Sequence, residues 1–319
     1  MRSPTRTFCA TALIGLLTLG CRPTAGPTAP PAEPHTAFAP IELKVKGDPD
    51  WLTAGFGSIW LKHPEGVIDR IDAATAALVT SITVHEARPE SCEGIGQSPD
   101  GIWSCDEGDL VRIDPTSNDV AATIEAGKIR GQGRLVRAAG QIWVLTGDGD
   151  RLVGVSEADG SISEPITLPV ACNDLGATAD AVYVSCERSD RVLRVDPVND
   201  SVTAEATIDA PTWVSAAASG LWVSAATDLL RLDPVSLATV VTVPGMATGS
   251  LGAIWADDIG VWVRRVDPFV SRVDASGSVK RVIGAPYRSG GDILVDGQHL
   301  WVTDFDSRLV IRLDLPAAA

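Results

Sequence analysis

The chain has 319 residues, 45% of them hydrophobic and 21% charged, which supplies a large core and excludes a disordered chain. With 26 Lys and Arg against 41 Asp and Glu the net charge is −15, a poor match for nucleic acid, whose phosphates need concentrated positive charge. Nine Trp occur beside only two Tyr and five Phe, and they recur at regular spacing.

The chain opens with Arg2 and Arg6, followed by an apolar run from Phe8 to Leu19 that is too short to span a bilayer and suits a signal peptide over residues 1–20. The run ends Leu17-Thr18-Leu19-Gly20-Cys21, which resembles the bacterial lipobox; the alternative is an ordinary secretory signal followed by an incidental Cys. On the lipobox reading Cys21 is lipidated and residues 21–40, rich in Pro, Ala and Thr, form an extended tether. The expectation is an exported protein of the bacterial cell envelope, attached to a membrane through its lipid. The anchor is expected at the outer membrane or cell surface; in a Gram-negative cell, Arg22 rather than Asp after Cys21 points to outer-membrane sorting. No other stretch reaches eighteen apolar residues.

Of six Cys, Cys9 leaves with the signal and Cys21 carries lipid. Cys92, Cys105, Cys172 and Cys186 remain, an even number suited to disulfides in an exported chain. Four cysteines allow three connectivities. No C-x-x-C pair or neighbouring His supports a metal site there.

From residue 41 one unit repeats with a period near 40. Its first marker is an aliphatic–aromatic–aliphatic core centred on Trp60, Trp103, Trp143, Tyr183, Trp222, Trp262 and Trp301. Its second marker is Arg-aliphatic-Asp: Arg70-Ile71-Asp72, Arg112-Ile113-Asp114, Arg194-Val195-Asp196, Arg231-Leu232-Asp233, Arg272-Val273-Asp274 and Arg312-Leu313-Asp314. In the third unit the second marker has decayed to Gly154-Val155-Ser156. A turn and a β-branched run close each unit, as in residues 77–84. Four short strands per unit, with no helical period, predict an all-β fold, a seven-bladed β-propeller over residues 41–319. The last unit has only three strands before the chain ends. Residues 41–46 read as the missing outer strand, closing the ring.

The pattern of aliphatic-aromatic-Val, Arg-Ile-Asp-Pro and a β-branched closing run is similar to YVTN-type and streptogramin (virginiamycin B) lyase-like propeller repeats, and more loosely to NHL repeats. The resemblance covers residues 41–314. It implies the propeller fold; that superfamily contains enzymes, binding modules and proteins of other roles. In streptogramin lyases a His–Glu pair with Mg²⁺ performs an elimination and the repeats read toward Phe-Thr-Glu. Here the markers continue Leu61-Lys62, Ser104-Cys105, Val223-Ser224 and Val302-Thr303. The one adjacent His–Glu pair, His85-Glu86, follows the first unit rather than a later one, so no catalytic residue is transferred.

The marker aromatics are expected to pack between blades, and the repeated Asp to cap the turn before each fourth strand. Residues that break the repeat are better candidates for function. Nine positions before each marker aromatic, at the start of each innermost strand, stand Trp51, Gly94, Arg134, Asp174, Trp213, Ala253 and Asp292. Asp48, Asp50, Glu93, Arg130, Asn173, Tyr287 and Arg288 lie nearby on the same face. The candidate ligand site is Trp51, Arg134, Asp174, Trp213, Tyr287, Arg288 and Asp292, against an ordinary solvated rim. The acidic turns at residues 106–109, 147–150, 187–190 and 304–306 are read as solvated; no Ca²⁺ loop is spelled out. Cys92 and Cys172 precede their markers by equal distances, and Cys105 and Cys186 follow theirs. Each pair therefore brackets one hairpin, which favours the local pairs 92–105 and 172–186. The expected protein is a monomeric binding module for a protein, glycan or small molecule, without a required cofactor. The alternative is a divergent lyase or hydrolase using carboxylates and a divalent cation.

Overall fold

The computed structural model describes residues 39–84, 92, 94–106, 108–130, 134–249, 251–266, 269–283, 287 and 289–315. Sequence readings placed on Cys21, the signal segment, His85-Glu86, Glu93 and Arg288 lie outside these residues.

The β-branched and aromatic runs form seven four-stranded antiparallel sheets arranged as a propeller. Six sheets follow chain order from the inner strand outward, beginning with Leu52–Gly55, Ser58–Lys62, Val67–Asp72 and Leu78–Thr83 in blade 1. Blade 7 is composite. Its inner three strands are Ile293–Asp296, His299–Asp304 and Leu309–Asp314, and its outer strand is Ile41–Lys44. The register runs from Ile41 opposite Arg312 to Lys44 opposite Leu309, and the Val45 amide extends it by donating to the Arg308 carbonyl at 3.0 Å. The first strand in sequence therefore closes the ring on the last.

The two sequence markers are partners across adjacent strands. Trp60 stands opposite Arg70, Trp103 opposite Arg112, Tyr183 opposite Arg194, Trp222 opposite Arg231, Trp262 opposite Arg272 and Trp301 opposite Arg312. In four of these pairs the guanidinium lies 4.8–6.0 Å from the indole centroid, within cation–π range. Blade 3 explains its own exception. Trp143 faces Gly154, where a Cβ would press on the indole and collide with the Gln141 side chain.

The apolar core is divided among the seven gaps between blades. Trp60 and Ile68 of blade 1 pack on Ile95 and Ile102 of blade 2, and Trp301 and Val310 of blade 7 pack on Leu52 and Ile59 of blade 1. Every marker aromatic is buried, which fits the packing role expected of it. Removing each indole from water is worth about 2–3 kcal/mol, and the ring shape lets every sheet bury both faces.

The repeated Asp caps the turn between third and outer strands. Asp72 accepts the Thr75 amide at 2.7 Å, Asp114 the Thr116 amide at 2.6 Å and Asp233 the Ser236 amide at 2.7 Å. The Thr75 hydroxyl and then its amide for Asp72, and foremost these amides for Asp114 and Asp233, hold the three carboxyls below the usual aspartate range. Both local disulfides are present, Cys92–Cys105 in blade 2 and Cys172–Cys186 in blade 4.

Candidate functional site

Alternation along the inner strands sends side chains at their starts toward the propeller axis. Trp51 immediately precedes the inner strand of blade 1, Trp213 begins that of blade 5 (Trp213–Ala217), and Arg134 lies two residues before that of blade 3 (Val136–Ala138). They meet as a nearly equilateral triangle: the indole centroids are 5.5 Å apart, and the Arg134 guanidinium lies 5.6 and 5.9 Å from them. The Trp213 indole N–H donates to the Gly249 carbonyl at 2.8 Å, which fixes the ring.

Two carboxylates flank the triangle. Asp292 accepts from Arg134 at 3.1 Å through one oxygen and from the Leu52 amide at 3.0 Å through the other. Asp174 accepts the Val214 amide at 2.9 Å, while its second oxygen is buried without a hydrogen-bond partner. The two Asp thus do equivalent work, tying the inner strand of blade 7 to blade 1 and that of blade 4 to blade 5. Burial pushes the Asp174 carboxyl up to about 6, against the opposing attraction of Arg134. Burial disfavours the Arg134 charge as well, but Asp174 and Asp292 outweigh it and hold the guanidinium protonated.

The triangle divides the axial channel. Above it opens a mouth of about 950 Å³, lined by Trp51 and Trp213 but not by Arg134. Below it lies a smaller cavity of about 230 Å³, reached by Arg134, Asp292, Gln97 and Ser215. The mouth walls come from the connections entering the inner strands and from the turns joining second to third strands, which share this face as expected.

The Cys172–Cys186 disulfide sets one wall. The Cys172 amide donates to the Gly149 carbonyl at 2.8 Å. Gly149 has φ +88°, and a Cβ there would run into the Cys172 carbonyl, so only glycine lets the turn of residues 147–150 sit against the disulfide. That turn presents the Asp148 carbonyl to Arg130, which donates to it at 3.1 Å. Asn173 braces the same wall: its amide group donates to the Thr212 carbonyl at 2.8 Å and its oxygen accepts the Glu187 amide at 2.7 Å.

Of the candidate ligand residues, Trp51, Arg134, Asp174, Trp213 and Asp292 come together at the axis, and Trp51 and Trp213 face the mouth. Tyr287 does not join them. It packs on Phe269, with ring centroids 4.8 Å apart, and its hydroxyl donates to Glu42 on the outer strand of blade 7. The chain at Tyr287 has just left an outer strand and has not yet crossed to the axis. Asp304 also differs from the solvated-turn reading. It is fully buried and accepts from Ser289 at 2.8 Å and the Ser307 amide at 3.0 Å. Burial resists its ionisation, and these bonds prevail, holding its carboxyl below the usual range.

The mouth also includes Lys128, Arg188, Leu251 and Phe305, none of which was singled out as a ligand residue. Arg188 and Phe305 sit within turns noted only for their acids; departure from acidity inside those turns was the available signal. His63 is buried and bonded to Asp69 at 3.0 Å, and His299 pairs with Asp314 at 2.9 Å on the surface. Among the described residues no three His, Cys, Asp or Glu side chains gather as a cation would require.

No protein-family model and no curated protein matches the sequence. Solved structures do match. Virginiamycin B lyase from Staphylococcus aureus superposes with TM-score 0.70 at 15% identity, over 88% of this chain and 100% of that one. The WD40 domain of Neurospora crassa Pan2 gives 0.71 at 9% identity, over 86% and 90%. BamB from Moraxella catarrhalis gives 0.59 at 13% identity, over 85% of each. The likeness is one of fold. At these identities it places the chain among β-propellers, the virginiamycin B lyase propeller included, and carries no activity with it.

Proposed function

We propose that this protein is an exported, lipid-anchored propeller that works as a binding module, with the mouth above the Trp51–Arg134–Trp213 triangle as its ligand face. The observation that carries the reading is the combination of a large open cavity with a rigid aromatic floor. A cavity of about 950 Å³ matches the upper range for small-molecule sites, and its aromatic floor is ringed by charged groups of both signs, Lys128, Arg130 and Arg188 with Asp50, Asp148, Glu187 and Asp306. Arg134, Asp174 and Asp292 belong to the support of that floor rather than to its contact surface, since Arg134 pairs with Asp292 and each Asp accepts a backbone amide of the next blade.

Export is supported by the two disulfides, which persist in oxidising compartments, and by the signal-like segment with its lipobox resemblance. Anchoring through Cys21 is expected to place the propeller at the end of a Pro-rich tether, free to meet ligand from any direction.

Site-specific photo-crosslinking in the native envelope tests the reading. A photoreactive residue at Leu251, on the mouth, is expected to capture ligand or partner. The same residue at Ile259, an exposed position in the hairpin between the first two strands of blade 6, is expected to capture none. Equal capture at both positions, or none at 251, would remove the mouth as the working face. For the anchor, Cys21→Ser is expected to release the protein from the membrane fraction.

A further inference from the structure

The connector between the ring-closing strand and blade 1, residues 45–51, is fastened at both ends by backbone hydrogen bonds. The Val45 amide donates to the Arg308 carbonyl at 3.0 Å and the Asp50 amide to the Lys62 carbonyl at 3.2 Å. Between these points it crosses His63, which directly follows the second strand of blade 1 and is only 1% exposed. Gly47 lies against the imidazole: a Cβ there would stand 2.5 Å from Nδ1 of His63 and 3.2 Å from Oε2 of Glu65.

Both ring nitrogens face oxygen acceptors. Nε2 is 3.0 Å from the Asp69 carboxylate, and Nδ1 is 3.3 Å from the Asp48 carbonyl. A neutral imidazole has one N–H and would set its other lone pair against an oxygen; only the imidazolium donates to both. The charges around the ring favour that form. The buried Asp69 carboxylate also accepts from the Ser81 hydroxyl, and Oε2 of Glu65, beside the ring at Gly47, is buried without a hydrogen-bond partner. The nearby cations are engaged elsewhere or exposed. Arg308 of blade 7 donates to the Asp48 carboxylate at 2.9 Å, the Lys62 ammonium donates to the Cys105 carbonyl of blade 2 at 3.4 Å, and Lys46 on the connector is exposed.

We propose that His63 is a proton-operated clasp on the closure of the ring. Charged, it ties the connector at Asp48 to blade 1 at Asp69. Neutral, it must give up one of the two, and the longer bond, to Asp48, is the one released. Histidine is the side chain whose charge ordinarily changes between about pH 5 and 8, so the clasp is fastened in acid and opens as pH rises. Its contribution is present while the ring holds both protons and is lost with the second. The released segment leads one way to Ile41–Lys44, which closes the ring, and the other way to Trp51 in the floor of the mouth.

The test uses NMR on the full-length protein labelled with heavy nitrogen. At about pH 5.5 both His63 ring nitrogens are expected to carry protons, and above about pH 8 only one. Amide-exchange protection at Val45 and Asp50, corrected for the intrinsic effect of pH, is expected to fall about fivefold or more across that range. The Asp233 amide, bonded to the Ala238 carbonyl in blade 5, is expected to change by less than about twofold. His63→Gln is expected to abolish the difference between the two regions. Glu65→Gln keeps the ring and removes one charge beside it. It is expected to move the fall to lower pH, a shift that lost packing would not produce, and it decides the matter if His63→Gln does not fold. A ring with a single proton throughout, an equal fall at Asp233, a fall that persists in His63→Gln, or no shift in Glu65→Gln would overturn the proposal.

Discussion

Arg134 of blade 3 and Asp292 of blade 7 meet across the channel at 3.1 Å, with only 12% and 5% of their side-chain surfaces exposed. Neither belongs to a neighbouring sheet of the other, so the pair braces the ring along a chord. Arg134→Leu would leave Asp292 and Asp174 as uncompensated buried charges. The expected loss is about 3–5 kcal/mol in denaturant unfolding. Adding Asp292→Asn should recover part of it, a non-additivity that a double-mutant cycle reads directly.

Asp174 should give stability a specific pH dependence. Its folded carboxyl titrates at about 6, above the ordinary aspartate value. The folded state therefore holds this proton more tightly than the unfolded chain. The contribution is most favourable below pH ~4 and declines as pH rises through 6. Asp174→Asn keeps an oxygen for the Val214 amide and removes the titration. The variant should be more stable than the parent by about 1–3 kcal/mol at pH 7.5, and nearly equal to it at pH 4, in melting curves taken across that range.

The Cys172–Cys186 bond closes a loop with a sequence separation of 14, for which chain-entropy arguments give about 3 kcal/mol. The double Ser variant should lose about that much stability. Because the Gly149 carbonyl takes its hydrogen bond from the Cys172 amide, the turn carrying Asp148 should also loosen. Amide exchange at residues 147–150 should accelerate in this variant and remain unchanged when Cys92 and Cys105 are replaced instead.

Ile41 stands opposite Arg312, so the outer strand of blade 7 begins close to where its neighbour ends. Moving residues 39–46 to follow Leu315 through a short turn should retain the ring, with a melting temperature within a few degrees of the parent. Deleting the same residues leaves Leu309–Asp314 as a bare edge and uncovers part of the cluster around Val310 and Trp301. That form should melt far lower and associate, as light scattering would report.

The propeller was legible because its stabilising contact repeats: an aromatic on one strand, an Arg opposite it on the next and an Asp capping the following turn. Each copy writes the same spacing into the chain. Blade 3 shows the limit. Its outer strand shrinks to Ile166–Thr167, and its second marker gives way to Gly154, where the Gln141 side chain and the Trp143 indole fill the space a Cβ would take. At the axis, breaks in the repeat identified Trp51, Arg134, Asp174, Trp213 and Asp292. Sequence alone could not show that Arg134 bonds to Asp292, or that Asp174 and Asp292 each accept an amide of the next blade, since that depends on blades distant in the chain facing a common centre. Tyr287 was misplaced for a related reason. Its position just ahead of an inner strand does not reveal how far the connection has travelled inward.

The composite seventh sheet also dictates an order of events during synthesis. Among the described strands Ile41–Lys44 emerges first, and its partner there, Leu309–Asp314, appears last. Until that segment arrives the first strand of the propeller is unpaired, open to pairing with another molecule. Completion waits for the carboxyl end, so a chain cut short before residue 309 cannot finish its circle however well its earlier blades have assembled.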